Sequence, residues 1–589
     1  MKHLNKCNKF ASFIIILFVV KIFFNIFPFT SSTPQIIGSD GFGYYSYLPS
    51  MFIYRDMSCS YLDQIDDKYY PDFNIPQYIN IVNNSPINKY FSGVALLQSP
   101  FFFMAHGISK FYNVPADGYS YIYQYAVLFA SLFYLWLALF FMRKLFLLYN
   151  SNEYNITACM IALVFATNLY RYIIDEPSMS HVYSLCAITL FCYYIKLFFV
   201  KNTRSAFYMS CLLLGLIILI RPINGIIILS VPFLSGSYAN FKSSINFLLK
   251  NSSWLIIGAL LCANITLIQC YLWMIQTGEF VVWSYGPNEG FDFLHPQLIN
   301  VLFSFRKGLF VWTPILLFSL PGIIVLFKKN KFEALTLLGF LFAVVYALSS
   351  WREWYYGMSF GFRPMIDFYI FLFLLIAIFA NSIKNNWIRI AGLTMIAALI
   401  QINTVQTYQY RKYILHWKDM TYEKYKKVFL KTDKEWEGYL WSNVFYDDYY
   451  DVIYLKYSSS TNDNSFPIGY TKLPVNPGIK KCELAKFDSS IDTVSAQAIV
   501  IRLKFDFSNI NLKVSQLKFA CMISEKGKEN IAINEQVITV SKGKNTSKMA
   551  FRLTTKPKTN QTLYFFLINE NFLAGEISNV SIEFCKPLN

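Results

Sequence analysis

Between residues 119 and 403 the chain alternates long apolar runs with short connections rich in Lys and Arg, a pattern few folds accommodate. An apolar helix of about twenty residues matches the hydrocarbon thickness of a bilayer. In lipid the backbone must satisfy its own hydrogen bonds, so helix is the form such a run takes. The 589 residues are 55% hydrophobic and 15% charged. A soluble globular chain carries about 25% charge. This chain therefore reads as one that buries apolar surface in lipid. The net charge of +17 is no argument for nucleic acid, because the basic residues sit in short stretches between apolar runs, as topology determinants do.

Lys2, Lys6 and Lys9 precede the first apolar run, 10–29, and place the N-terminus on the cytoplasmic side. No small-x-small cleavage site follows it and more apolar runs do, so it reads as an uncleaved anchor. Residues 30–118 form a large outer loop, polar and rich in Tyr and Pro, with amphipathic pieces such as 87–112 lying along the membrane surface as interfacial helices. Further spans are expected at 119–142, 156–172, 181–200, 254–276, 309–327, 332–348, 365–380 and 388–403. The runs 206–220 and 223–234, divided by Arg221-Pro222, read as two short spans or one re-entrant hairpin. Counted as two, they bring the total to about eleven, with nearly every Lys/Arg-rich connection on one side. The reading is a multi-pass protein of the inner (plasma) membrane with its C-terminus outside.

Residues 406–450 are a polar linker with an amphipathic segment. From 451 to 589 short runs alternate apolar and polar residues (498–507, 516–523, 531–540, 548–554, 562–568 and 580–585), which is the pattern of an extracytoplasmic β-sandwich. The eleven cysteines show no CxxC pair; Cys482, Cys521 and Cys585 could include one bridge.

The inner connections are short and basic, while the outer ones carry acids, His, Arg and aromatic residues. Asp40 lies in Ser-Asp-Gly-Phe-Gly-Tyr-Tyr, where Gly41 and Gly43 permit a tight turn with positive φ and Tyr44 and Tyr45 suit the interface. The plain reading of Asp40 is a helix cap. Asp175, Glu176 and His181 occupy one outer connection, Arg221 another, Arg306 and Lys307 a third, and Arg352, Glu353 and Arg363 a fourth. For any one of these a solvated anchor is the bland explanation; for Asp175-Glu176-Pro177 it is a helix start. Their convergence on one face fits a lipid-linked anion. Arg, Lys and His hold its phosphate, and Asp40, as general base, deprotonates an acceptor hydroxyl. Tyr44, Tyr45, Glu176 and Glu353 complete the candidate binding set. These residues point to no definite cofactor and leave metal dependence open; a divalent cation, if one takes part, falls to Asp40, Glu176 and His181.

Taken together, Asp40 in the first outer loop, Glu176-Pro177-Ser178-Met179-Ser180-His181, the Arg221-Pro222 junction, the segment Gly308-Leu309-Phe310-Val311-Trp312-Thr313-Pro314 and the late stretch 351–367 resemble the GT-C superfamily of integral-membrane glycosyltransferases. Within it, the aminoarabinose transferases and protein O-mannosyltransferases are the similar groups. The resemblance covers 1–405, the expected catalytic domain. It implies inverting transfer of a sugar from a polyprenyl-phosphate donor to a glycan, lipid or protein acceptor, with Asp40 in the catalytic-acid position. The O-mannosyltransferases follow their loop acid with Glu, whereas Gly41 stands here, so their peptide recognition does not carry over. Two other classes stay open: a polymerase or ligase using polyprenyl-pyrophosphate glycans, and a transporter or flippase. The few mid-span charges, Lys21 and Lys196, and the unmatched halves weigh against transport.

Overall fold

A computed structural model describes residues 13, 35–69, 78–82, 85–286, 289–416, 420–433 and 436, and nine strands from Tyr450 onward. Two compact units divide the chain: Met1–Thr407 with Lys418–Tyr422, and Tyr408–Trp417 with Glu423–Asn589.

The first unit is helical. Helix α1 (Asp40–Pro49) runs into a π-turn at Ser50–Tyr54 and is followed by α2 (Leu62–Tyr69). An antiparallel hairpin of β1 (Ile79–Val82) and β2 (Ser85–Asn88) leads to α3 (Gly93–Phe111). Then come α4 (Tyr121–Leu148), α5 (Glu153–Phe165), α6 (Leu169–Ile174), α7 (His181–Lys201) and α8 (Arg204–Ile220). A 3-10 helix, Pro222–Ser230, precedes α9 (Val231–Ser235), α10 (Tyr238–Lys250), α11 (Ser252–Thr277), α12 (Leu298–Phe303) and α13 (Leu309–Trp312). A second 3-10 helix, Pro314–Phe318, continues into α14 (Ser319–Lys329) and α15 (Lys331–Ser349). A third, Arg363–Phe368, opens α16 (Tyr369–Ser382), and α17 (Asn386–Arg411) follows.

Among the described residues six helices are long and apolar enough to cross a membrane: α4, α7, α11, α15, Arg363–Ser382 and α17. They fall on six of the eleven expected runs, and the run 10–29 lies outside the described residues apart from Phe13. The other four runs are shorter or broken, for local reasons. The run 156–172 divides into α5 and α6 at residues 166–168. There Asn403 donates to the carbonyls of Phe165 and Thr167, and Thr167 Oγ1 accepts from the Leu169 N–H, so side chains satisfy the interrupted backbone. The run 206–220 is the 17-residue helix α8. The run 223–234 is 3-10 helix from Pro222 and then α9, bent 118° from α10. The run 309–327 is broken at Thr313-Pro314, where proline has no N–H to give the helix. Three helices begin on side-chain caps: Asn152, Ser237 and Asn330 accept from backbone N–H groups three residues on.

The segment between residues 35 and 118 is built on buried phenols. Tyr45 donates to the carbonyl of Gly118, and Tyr47 to that of Tyr90. Helix α3 turns Phe103, Met104, Ile108 and Phe111 outward, the apolar face expected of an interfacial helix.

In the second unit, helix Tyr422–Val428 lies in the polar linker. The strands beyond are β3 (Tyr450–Ser458), β4 (Lys472–Val475), β5 (Lys481–Asp488), β6 (Ile499–Asn509), β7 (Ser515–Glu525), β8 (Ala532–Val540), β9 (Gly543–Leu553), β10 (Gln561–Ile568) and β11 (Gly575–Pro587). They make a four-stranded sheet, β5-β10-β7-β8, and a five-stranded one, β3-β11-β6-β9 with β4 also on β11. All pairings are antiparallel. The bridge considered for Cys482, Cys521 and Cys585 lies outside the described side chains.

Candidate active site

Asp40 is the first residue of α1, and Ser39 before it has a positive φ (52°). The glycines after it do not; both are helical, which corrects the expectation of positive φ at Gly41 and Gly43. Their role is close approach. A Cβ on Gly41 would fall 1.9 Å from Ser178 Oγ, and one on Gly43 would fall 2.2 Å from the Tyr90 ring. The first turn of α1 is thereby pressed between residue 178 and Tyr90. The same device holds Arg221: a Cβ on Gly93 would meet the Ile220 nitrogen at 2.4 Å, so the start of α3 lies against the end of α8.

The cap position belongs to Ser39, which makes no side-chain capping bond, and Asp40 is the acid of the first turn. Its Oδ2 accepts from Arg363 Nη2 at 2.7 Å, across 323 residues of chain. Arg363 opens a 3-10 turn that Pro364 starts, and four residues on that turn presents Asp367. Asp367 is fully buried. Its Oδ1 pairs with His181 Nδ1 at 2.9 Å, and its Oδ2 accepts from Arg221 Nη1 at 3.0 Å and from Asn224 Nδ2 at 2.7 Å. One carboxylate thus ties the start of α7, the end of α8 and the 3-10 helix after it. Tyr44 links the two ion pairs: Asp40, Arg221 and Arg363 all lie within electrostatic reach of its phenol, which bonds with Ser180. Its ring packs on Tyr90 at 4.6 Å, and Tyr90 lies 6.4 Å from Tyr285.

Burial would raise the Asp40 carboxyl, but Arg363, a hydrogen bond from Tyr90 and the charge of Lys89 outweigh it. The group is held below the ordinary 3.8 and is ionised at neutral pH. Asp40 keeps 30% of its side chain exposed, so solvent and substrate can reach it. Burial moves the Tyr44 phenol the other way, upward, against the pull of Arg221, and leaves it a neutral donor.

Of the sequence-derived candidates, Asp40, Tyr44, His181, Arg221 and Arg363 come together. His181 does so in a different role, because its Nδ1 is engaged by Asp367 and its side chain is 4% exposed. Tyr45 points into the core at Gly118. Glu176 and Asp175 both pair with Arg171, at 2.8 and 3.1 Å; Glu176 also lies within electrostatic reach of Arg363 and its Oε2 has no hydrogen-bond partner, so it borders the cluster. Arg306 stacks on the Tyr355 ring at 3.6 Å, and Lys307 is buried and donates to the Ser359 carbonyl. Glu353 is exposed and accepts from Tyr355. The conditional cation ligands Asp40, Glu176 and His181 have separate partners, Arg363, Arg171 and Asp367. Among the described residues no group of three or more His, Cys, Asp or Glu could hold a metal ion.

Sequence reasoning passed over Asp367, Asn224, Tyr90 and Tyr285. Asp367 had a signal: it is an acid inside an apolar run, where an ionisable residue is a functional candidate by default. The others are tyrosine and asparagine in a chain with 43 tyrosines, and nothing in their spacing sets them apart. Comparison with protein-family profiles and with curated proteins found no match.

Proposed function

We propose that the protein is a multi-pass membrane glycosyltransferase. In this reading it moves a sugar from a polyprenyl-phosphate donor to a cell-envelope acceptor on the outer face of the inner membrane, with inversion. The observation that carries it is the meeting of Asp40 with Arg363 beside Arg221, with Tyr44 between them, at the ends of long apolar helices. A carboxylate paired with one guanidinium, with a second guanidinium within reach of the same tyrosine, suits attack by a hydroxyl on a sugar whose leaving group is a phosphate.

The acceptor oxygen attacks the anomeric carbon while Asp40 removes its proton. The bond from that carbon to the phosphate oxygen breaks, and the lipid phosphate leaves with the electron pair. Arg363 and Arg221 stabilise the charge it gains. Arg363 exchanges Asp40 for phosphate when donor binds, which frees the carboxylate to take the proton. His181 supports Asp367 and does not touch phosphate. The full reading keeps eleven crossings, counting shorter and broken helices, with the N-terminus inside. In this reading the two antiparallel sheets are the faces of a β-sandwich outside the cytoplasm. No nucleic acid is involved; the partners are the donor, the acceptor and membrane lipids.

Mass spectrometry of envelope glycans and lipids from cells with and without the protein tests this. Loss of a single sugar substituent is expected. Loss of all long chains would point instead to a polymerase, and an unchanged envelope would count against transfer.

A further inference from the structure

Asp367 has more ties than the packing of three helix ends requires. A fully buried carboxylate is costly to desolvate, and pairing it contributes little net stability compared with apolar packing. Here one carboxylate, at the start of an apolar helix, gathers an arginine, a histidine and an asparagine from three elements. Asn224 is itself fully buried, and its Oδ1 has no hydrogen-bond partner. Its amide is therefore oriented by the Asp367 bond alone, apart from a 3.3 Å contact to Ser184 Oγ.

Arg221 shows what the arrangement achieves. Among the described residues it makes one side-chain hydrogen bond, from Nη1 to Asp367, and 15% of its side chain is exposed. The remaining N–H donors of a planar guanidinium are left for something else. Tyr44, Tyr285 and Tyr356 lie within electrostatic reach of it, and Tyr44 and Tyr356 are within reach of Arg363 as well. Arg221 is thus held by one nitrogen, and two of the phenols within reach of it are within reach of the second arginine too.

We infer that Asp367 is a positioning residue: it fixes Arg221 so that the unpaired edge of the guanidinium presents its donors to the phosphate of a polyprenyl phosphate. This rests on the transferase reading and adds to it a division of labour. Arg221 is the fixed cation, clamped by Asp367, and Arg363 is the exchangeable one, shared between Asp40 and the ligand.

The test is binding of undecaprenyl phosphate to the full-length protein in lipid nanodiscs, followed by native mass spectrometry, with undecaprenol as the uncharged control. The wild type is expected to prefer the phosphate. Absence of any preference would overturn the transferase reading and this inference with it. Asp367→Asn and Arg221→Gln should each weaken phosphate binding about tenfold. The double variant should be no weaker than Arg221→Gln alone, because Asp367 acts through Arg221. Additive losses, or full affinity in Asp367→Asn, would overturn the inference while leaving the transferase reading standing. If Asp367→Asn fails to fold, Asn224→Ala removes one of the three ties and leaves both charges. It should weaken phosphate binding about threefold at an unchanged melting temperature, coupled to Arg221 in the same way. Unchanged affinity in that variant would count against the inference.

Discussion

Helix α7 carries a buried basic group near each end, and the two ends are built differently. Near its C-terminus Lys196 lies 3.8 Å from Glu333 and 4.4 Å over the Tyr149 ring. That is one loose pair between helix ends, close to the Asn330 cap, and a long side chain that snorkels towards polar surroundings explains it. At its N-terminus His181 enters a network in which every bond to Asp367 is 3.0 Å or less and three elements meet on that carboxylate. The adjoining Asp40–Arg363 pair is as short, at 2.7 Å. A pair that only joins helices can be long and simple. A set of charges held this closely, with arginine donors left over, suits a ligand.

The comparison breaks most visibly at Asp40. Asp40→Asn keeps the size of the side chain and removes the base, so transfer should fall about 10²- to 10⁴-fold with the protein still in the membrane. In the free protein the carboxyl lies below its ordinary 3.8, so protonation of Asp40 should not limit kcat/KM at any pH above about 5. The same sign governs stability. A carboxyl lowered on folding contributes above its unfolded value, and the contribution fades as pH falls through the folded one. Acid unfolding of the wild type and of Asp40→Asn should therefore diverge above about pH 4 and converge below it.

Arg363→Lys keeps the charge but loses the planar fork that can serve Asp40 and then phosphate; an initial-rate assay should show a loss of about tenfold to a hundredfold. Gly41→Ala drives a methyl group into Ser178, and a thermal melt should show a loss of roughly 1–3 kcal/mol. The smallest effect belongs to the other end of α7. Replacing both partners, Lys196→Met with Glu333→Gln, should change stability by no more than about 1 kcal/mol and leave transfer intact. A collapse of transfer in that double variant would erase the distinction between the two ends.

Much of this was legible in the sequence. Apolar run length located the six long helices, because lipid leaves the backbone little choice. It missed the breaks at 166–168 and at Thr313-Pro314, where Asn403 and Thr167 satisfy one interruption and proline forces the other. Asp40, Arg221 and Arg363 stood out as charges beside apolar runs. Their pairing could not be read, since the partners lie 146 and 323 residues apart. Gly41 and Gly43 were noticed for the wrong reason. Sequence shows that a glycine is present, and only the fold shows whether φ or a neighbour demands it. Arg306, Lys307 and Glu353 are outer-loop charges of the same kind as those that meet at Asp40 and Asp367, yet they are engaged by Tyr355 and Ser359.

The most direct measurement is restoration of the missing envelope sugar, read by mass spectrometry, in cells lacking the protein and supplied with either wild type or Asp40→Asn at equal membrane levels. The wild type should restore the sugar and Asp40→Asn should not. Full restoration by Asp40→Asn would contradict the assignment of Asp40 as the base.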